Sequence, residues 1–104
     1  MKITILHNKT CNIYKTTRGI IEDILGESDI SAEVEEITVA SDEEARKHHF
    51  AGSPQVIIDG QDIDSEAHKI TNYHESGCRF YMWKNKMYEG PPSDMLKEAI
   101  LNKR

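Results

Sequence analysis

Cys11 is the residue of this chain whose chemical type and surroundings point most directly to a reaction. It stands in KTCNIYK, residues 9–15, after a short apolar run and before a stretch with helical spacing of apolar residues. The thiolate attacks disulfides, and it is favoured over the thiol at a helix N-terminus beside cations. We therefore predict a reactive thiol. The alternative is a half-buried cysteine that packs as a small apolar side chain.

The charges around this cysteine are distributed unevenly. Residues 1–21 hold no acidic residue, whereas residues 22–45 hold ten acidic residues and no Lys or Arg. The thiol thus lies in a positive block, although charge runs of this kind also occur on ordinary solvated surfaces. The cations of the block are Lys2, Lys9, Lys15 and Arg18.

Cys78 is the second cysteine, and it could resolve a mixed disulfide formed at Cys11 if the two Cα atoms lie within about 7 Å. The third predicted strand runs away from the Cys11 end of the sheet. Cys78 is therefore expected at the far edge, unless the long segment 61–77 folds back. Two cysteines this far apart form neither a disulfide framework nor a zinc pattern, so a structural or independently reactive thiol is the alternative.

Histidines near Cys78 raise the question of a metal site. His74 and Cys78 have workable ligand spacing, but a structural zinc site assembles four ligands, and no compact set of four is present in the sequence. We therefore predict no metal and no cofactor, and we interpret the histidines as surface residues. The other histidines considered are His48, His49 and His68.

The strands that must position these residues are predicted from short apolar runs bounded by turn residues. RFYMW and MYEG flank a polar turn and predict a late strand pair, whose aromatic residues are expected to pack in the core or on a sheet face. Segment 61–77 is polar and predicts a long loop or a short helix over 65–73. Glu35 and Glu36 interrupt the second strand, which indicates an edge strand or a bulge. The first three strands are KITIL (2–6), AEVEEITV (32–39) and QVIID (55–59).

Helices are predicted at three places, each with a recognisable boundary. Thr10 is the expected N-cap of the first helix and Gly26 its stop. Ser41 and Glu44 have the capping-box spacing expected at the start of the second. The predicted ranges are 11 or 12 to 25, 42–49 and 93–102.

The element order is strand, helix, strand, helix, strand, strand, helix. A strand–helix–strand start implies a parallel pair, and the late strand pair is expected to close the sheet antiparallel. At 104 residues the chain has the size of one domain, which we assign to residues 1–104. The predicted fold class is α/β, with a central mixed four-stranded sheet and flanking helices.

Composition argues against several classes of partner. A net charge of −5 disfavours the phosphate backbone of nucleic acids, and no apolar run approaches the roughly 20 residues that cross a bilayer. The N-terminal apolar stretch is too short for a secretory signal and lacks a cleavage site of small residues. We therefore expect a cytoplasmic protein with no nucleic acid and no membrane as partner. Neither a Gly-rich phosphate loop nor a Ser-His-Asp pattern is present.

Three pieces of this pattern resemble the thioredoxin and glutaredoxin superfamily: a first strand leading to Cys11, Ser53-Pro54 directly before the third strand, and Gly90 before the last helix. More narrowly, GSPQVIIDGQDID, CRFY and GPPSDMLKEAI are similar to little-characterised thioredoxin-like proteins, some labelled alkylmercury-lyase-like. The resemblance spans nearly the whole chain and implies a thioredoxin-like fold. It also implies a cis peptide bond before Pro54, with Ser53 offering backbone groups to an extended thiol substrate.

The chain departs from that superfamily at the second cysteine. Tyr14 stands where the resolving cysteine of a Cys-x-x-Cys motif would stand. Monothiol glutaredoxins use glutathione instead, but their Gly-Gly-Asp glutathione site is not evident in DGQDIDSE. The resemblance thus implies a thiol site whose cycle an external thiol or Cys78 would complete.

Three functions are therefore expected, in descending order. The first is thiol–disulfide exchange on a small-molecule or protein substrate, with Cys11 as the nucleophile. The second is a binding module of the same fold that has lost redox turnover. The third is a soft-metal or organomercurial site formed by the two cysteines. The expected site residues are Cys11 and Cys78 for catalysis, and Ser53, Pro54, Tyr14 and Thr10 for substrate binding.

Overall fold

The computed structural model describes residues 1–64, 73–74 and 79–103. The bounds of the first three strands and of the three helices agree with the predicted ones to within two residues. The elements are β1 (Lys2–Asn8), α1 (Ile13–Glu27), β2 (Glu33–Val39), α2 (Asp42–His48), β3 (Gln55–Ile58), β4 (Gln61–Asp62), β5 (Tyr81–Trp83), β6 (Lys86–Tyr88) and α3 (Ser93–Lys103).

The main sheet is mixed and four-stranded, with the strand order β2-β1-β3-β4. β1 pairs in parallel with β2 and antiparallel with β3, and β3 pairs antiparallel with β4. The register between β1 and β2 is regular, from Lys2 opposite Glu33 to Asn8 opposite Val39. Of the two interpretations of β2, the edge strand is therefore confirmed and the bulge is wrong. Its glutamates suit an edge, because charged side chains discourage pairing with another chain.

The fourth strand of this sheet differs from the predicted one. β4 is two residues long and follows β3 through Asp59 and Gly60, which both have positive φ. The late pair β5–β6 forms its own two-stranded sheet, so the prediction that it closes the main sheet is wrong. Its turn residues, Lys84 and Asn85, both have positive φ, which matches the right-handed twist of a tight hairpin.

Alternate side chains of β1 enter a core on each face of the main sheet. α1 and α3 cover one face and α2 covers the other. The first core consists of the buried residues Ile3, Ile5, Ile21, Ile24, Val56, Ile58, Leu96 and Ile100. The second consists of Leu6, Val39, Ala45 and Phe50. None of the helices in the described ranges is long and apolar enough to span a bilayer.

The helix ends confirm one predicted signal and correct another. The side chain of Ser41 accepts a hydrogen bond from the N–H of Glu44 at 3.1 Å, which confirms Ser41 as the N-cap of α2. The Glu44 carboxylate accepts from the N–H of Ala40 at 3.0 Å, one residue before the donor that a capping box uses. His49 then ends α2 in the left-handed conformation, with φ 52° and ψ 49°. α1 continues past Gly26, and Asp29 takes the positive φ instead, so the predicted stop is wrong.

Candidate functional site

Cys11 lies between the end of β1 and the start of α1. It is half-buried and its thiol is free. Asn12 is the N-cap of α1, but its side chain makes no capping hydrogen bond, and the first turn contains no acidic residue. The N-terminus of α1 therefore keeps its partial positive charge close to the thiol.

Thr10 is not the N-cap of α1, so that prediction is wrong. Its hydroxyl donates to Oδ1 of Asn8 at 3.3 Å, within the turn that joins β1 to α1. The helix begins at Ile13 with Asn12 as its N-cap, so Thr10 lies two residues before the capping position. Thr10 instead shapes the turn that carries Cys11.

A cleft of about 350 Å³ opens beside Cys11. The turn before α1 and the first residue of that helix form one wall. The opposite wall comes from residues far along the chain. Three predicted site residues, Cys11, Thr10 and Ser53, meet in this cleft. Its lining residues are Asn8, Thr10, Cys11, Asn12, Ile13, Ser53, Arg79, Phe80 and Glu89.

The Ser53–Pro54 peptide bond is cis, as the resemblance implied. The Ser53 hydroxyl accepts a hydrogen bond from the N–H of Asn8 at 3.3 Å, and the Ser53 carbonyl oxygen accepts one from the N–H of Arg79 at 3.4 Å. The hydroxyl of Tyr81 donates to the carbonyl oxygen of Pro54. The backbone at which a substrate was expected is therefore partly engaged by the chain's own residues.

Gly90 provides the space in which the chain entering α3 passes the first turn of α1. A methyl group on Gly90 would stand 2.6 Å from Cγ2 of Ile13 and 3.5 Å from Oγ1 of Thr17. It would also stand 3.9 Å from Cγ of Pro54. Because Ile13 lines the cleft, a side chain at this position would displace the wall next to Cys11.

Tyr14 packs against β1 and is not among the residues that line the cleft. Its ring stacks on the buried imidazole of His7, with the ring centroids 3.6 Å apart and the planes 2° apart. Nδ1 of His7 lies 3.0 Å from the carbonyl oxygen of Asn8. Tyr14 therefore anchors the first turn of α1 to β1.

Cys78 lies outside the described residues, so its distance from Cys11 stays a prediction. The residue that follows it, Arg79, lines the cleft and bonds to Ser53. β4 does begin at the far end of β3, as expected of a fourth strand, but the chain reaches the cleft again at Arg79. The two cysteines were expected to lie far apart because the strand after Cys78 was predicted to be the fourth strand of the main sheet. β4 is that strand instead, so this reason no longer applies.

Arg79 anchors the far wall of the cleft through a buried ion pair. Its two terminal nitrogens each donate to one carboxylate oxygen of Asp62 at 2.7 Å, a bidentate arrangement. The Arg79 side chain is 5% exposed, and its guanidinium carbon lies 4.5 Å from the centre of the Tyr81 ring. Burial alone would lower the pKa of Arg79, but the hydrogen bonds with Asp62 and the neighbouring acidic groups outweigh burial and raise it. Arg79 therefore stays charged.

Asp62 connects this wall to β3. Its Oδ2 accepts a hydrogen bond from Nε2 of Gln55 at 2.9 Å, and its Oδ1 accepts one from the N–H of Asp64 at 2.8 Å. Gln55 in turn accepts a hydrogen bond from the N–H of Ala51 at 3.0 Å. The short strand β4 thus positions the carboxylate that holds Arg79 beside the cleft.

Tyr81 gives a prediction for stability at high pH. Burial, opposed by the Arg79 cation, raises its pKa above the ordinary value of 10.0. The stabilisation from the neutral hydroxyl is therefore complete below pH 10.0 and is lost as the pH rises towards the folded-state value. Tyr81→Phe should cost about 1–2 kcal/mol near neutrality by removing the bond to Pro54.

The difference in free energy of unfolding between wild type and Tyr81→Phe should decrease above pH 10.0. Urea unfolding of both proteins at several pH values measures it. A difference that stays constant across this range would contradict the assigned titration.

The residues of the far wall are those that sequence reasoning missed. Arg79, Phe80 and Glu89 were not candidates, because nothing local relates them to a cysteine so far away in the sequence. Phe80 was expected to be packed, but it is largely exposed beside the cleft. The one available signal was the CRFY motif, in which a cation precedes two consecutive aromatic residues.

In the part of the chain that the structure describes, no three His, Cys, Asp or Glu side chains group closely enough to hold a metal ion. His49 stacks on Tyr73 instead, with the ring centroids 5.1 Å apart. His68 and Cys78 lie outside the described residues. The predicted absence of a metal site and the soft-metal hypothesis, which requires Cys78, both stay predictions.

Comparisons with known proteins identify a family without assigning an activity. No curated protein and no solved structure gives a significant match to this chain. A family model described as "Domain of unknown function (DUF2703)" matches residues 1–100. The match includes every residue that lines the cleft. The chain therefore belongs to the DUF2703 family.

Proposed function

We propose that this protein has a thioredoxin-like fold and carries out thiol–disulfide exchange with Cys11 as the nucleophile. The observation that carries the proposal is that Cys11 and Ser53 line one cleft at the start of α1. A nucleophilic thiol needs access, a favourable electrostatic setting and a surface that holds the substrate. Cys11 is partly exposed in the cleft, it lies at a helix N-terminus without acidic residues, and the cleft walls offer a surface for the substrate.

The topology supports the thioredoxin-like fold. The strand order is β2-β1-β3-β4, with β1 and β2 parallel and the other neighbours antiparallel. α1 and α3 cover one face of this sheet, and α2 covers the other. Cys11 precedes α1, and Ser53-Pro54 precedes β3, as the resemblance implied for a thiol site of this class.

The setting of the thiol supports nucleophilic attack. The first turn of α1 contains no acidic residue, and the Asn12 side chain leaves the first helical amides uncapped. Lys9 and Lys15 are exposed on either side of Cys11 in the sequence. A thiolate is stabilised by both features. Free thiols persist in a reducing compartment, and we propose the cytoplasm.

The proposed first step is a displacement at sulfur. The Cys11 thiolate attacks one sulfur of the substrate disulfide, and a Cys11–substrate disulfide forms as the substrate's S–S bond breaks. The other substrate sulfur leaves as a thiolate, which takes a proton from water. Cys11 has then accepted half of the substrate, and the other half is a free thiol.

Two routes complete the cycle. In the first, one external thiol displaces the bound half of the substrate from Cys11, and a second external thiol frees Cys11 again. The substrate disulfide gains two electrons and two protons, and the external thiols end as their disulfide. In the second, Cys78 displaces the bound half, and external thiols reduce the resulting Cys11–Cys78 disulfide.

A binding module without turnover is the second candidate. Tyr14 stands where a second cysteine would resolve the mixed disulfide, and it packs on His7 instead. The carbonyl oxygen of Ser53 already accepts a hydrogen bond from Arg79. In this alternative the cleft holds a peptide and Cys11 does not react.

Mapping the first cysteine to react separates the two candidates. Native chain and urea-unfolded chain are treated briefly with hydroxyethyl disulfide, alkylated and digested, and the mixed disulfides are located by mass spectrometry. We expect Cys11 to react at least about tenfold faster in the native chain than in the unfolded one. An equal or slower native rate would contradict exchange and support the binding module.

A further inference from the structure

The large apolar side chains that are most exposed in the described part of the chain lie together near one hairpin. Phe80 is 57% exposed, Met82 58% and Met87 64%. Phe80 directly precedes β5, Met82 lies in β5 and Met87 lies in β6. Contiguous exposed apolar side chains are unusual on a soluble surface and mark places where another molecule binds.

These three side chains share one face of the hairpin. Side chains alternate along a strand, so Phe80 and Met82 point to one side and Tyr81, which is fully buried, points to the other. Met82 and Met87 are directly opposite each other across the pair. Cross-strand partners stand on the same side of a sheet. We call Phe80, Met82 and Met87 the hairpin face.

The hairpin face is continuous with the cleft at Cys11. Phe80 belongs to the face and also lines the cleft. Glu89, which follows β6, lines the cleft as well. A chain whose cysteine reaches Cys11 would therefore extend along Phe80 onto the two methionines. Methionine suits such a surface because its flexible thioether side chain adapts to different partners.

The charges around this path are mainly positive. Lys9 and Lys15 are exposed near the thiol, at the end of the path that begins beside Phe80. Lys84 and Lys86 are also exposed, but Lys86 is the cross-strand partner of Trp83 and lies on the side of the hairpin opposite the two methionines. Glu89 is the one acidic residue that lines the described cleft. A partner with acidic residues beside an apolar stretch would complement this arrangement and would be drawn to it at low salt.

We propose that the hairpin face docks an extended segment of a partner protein in which apolar and acidic residues flank a disulfide-bonded cysteine. This inference rests on the proposed exchange function and names its substrate class as protein disulfides. Docking beside the thiol raises the rate because the substrate sulfur is held close to the attacking sulfur. Small disulfides gain nothing from the hairpin face.

Two synthetic peptides test the proposal. Each carries one cysteine as a mixed disulfide with thionitrobenzoate; leucine and aspartate flank the cysteine in one peptide, serine and lysine in the other. Cys11 attacks the peptide sulfur, the peptide S–S bond breaks, and thionitrobenzoate leaves as the better leaving group. Its absorbance reports the rate, and the rate of Cys11→Ser is subtracted. We expect the leucine–aspartate peptide to react about fivefold to tenfold faster.

Substitutions on the hairpin and beside the cleft identify the surface responsible. The double variant Met82→Thr/Met87→Thr removes the two methionines and replaces them with threonine, which suits a strand. It should reduce the ratio between the rates of the two peptides to about twofold or less. Lys9→Thr removes an exposed lysine beside the cleft and should weaken the preference and its salt dependence, whereas Lys97→Thr, which removes an exposed lysine of α3, should leave both unchanged. Urea unfolding of each variant establishes that it is folded.

The outcomes distinguish this inference from the proposed function. If wild type and the Met82→Thr/Met87→Thr variant show the same peptide preference while both react with hydroxyethyl disulfide, the docking surface is wrong and the exchange function stands. If neither protein reacts with hydroxyethyl disulfide, the exchange function itself fails. Sedimentation with anionic phospholipid vesicles, or a dimer in sedimentation velocity that Met82→Thr/Met87→Thr abolishes, would assign the hairpin face to a membrane or to a second copy and overturn the proposal.

Discussion

Replacing Cys11 with serine is expected to abolish turnover of disulfides by this protein. A serine hydroxyl is not ionised near neutral pH and is a poor nucleophile towards sulfur, so no mixed disulfide can form at residue 11. We expect kcat/KM for hydroxyethyl disulfide, with an external thiol as reductant, to fall at least about a hundredfold. The remaining rate should equal that of the reductant alone.

Cys78→Ser is the matched control, since it removes a thiol of the same type elsewhere in the chain. If external thiols complete the cycle, this variant keeps its activity; if Cys78 does so, it forms the mixed disulfide at Cys11 but turns over more slowly. Mass spectrometry of the stalled protein separates these cases. Activity that is lost in Cys78→Ser and retained in Cys11→Ser would overturn the assignment of the nucleophile.

Arg79→Met is expected to cause a large loss of stability, about 3–5 kcal/mol. The methionine leaves the carboxylate of Asp62 without its bidentate partner in a site where both side chains are largely buried. An uncompensated buried charge is much more costly than a lost surface ion pair. The free energy of unfolding, measured by urea denaturation, tests this expectation.

Two further variants show whether the cost comes from the orphaned charge. The double variant Arg79→Met/Asp62→Asn removes the negative charge of the carboxylate, and the amide oxygen that replaces it can still accept a hydrogen bond from Gln55. About 1–2 kcal/mol of the stability lost in Arg79→Met should therefore be recovered. Lys2→Met breaks the exposed pair between Lys2 and Glu35 and should change stability little. A cost for Arg79→Met as small as that of Lys2→Met would contradict the structural role of the buried pair.

The near wall of the cleft was predictable from the sequence because its determinants are local. A strand, a short turn and a helix stand within residues 2–27, so Cys11 had to lie where β1 meets α1. The N-cap at Ser41 is equally local and was identified correctly. Thr10 was misassigned because the helix begins at Ile13, one to two residues later than predicted, which makes Asn12 the N-cap.

The far wall was not predictable because its determinants are tertiary. Asp62 lies in a two-residue strand, too short for any periodicity to indicate, yet it decides where Arg79 is held. The β5–β6 pair was identified from its aromatic residues, but its pairing apart from the main sheet depends on contacts that no local pattern contains. Phe80 was expected to be packed for its residue type and is instead exposed next to the cleft.

The distances along the chain between the two walls bear on how the protein is made. Asn8 and Ser53, on opposite walls, bond across 45 positions, and behind the far wall Pro54 and Tyr81 bond across 27. Such long-range contacts form only after the entropy of closing the intervening loops has been offset. On a translating ribosome, the cysteine leaves the exit tunnel long before residues 79 to 89 exist. The nascent chain therefore presents an uncovered sulfur, and its protection during synthesis depends on the reductants around it.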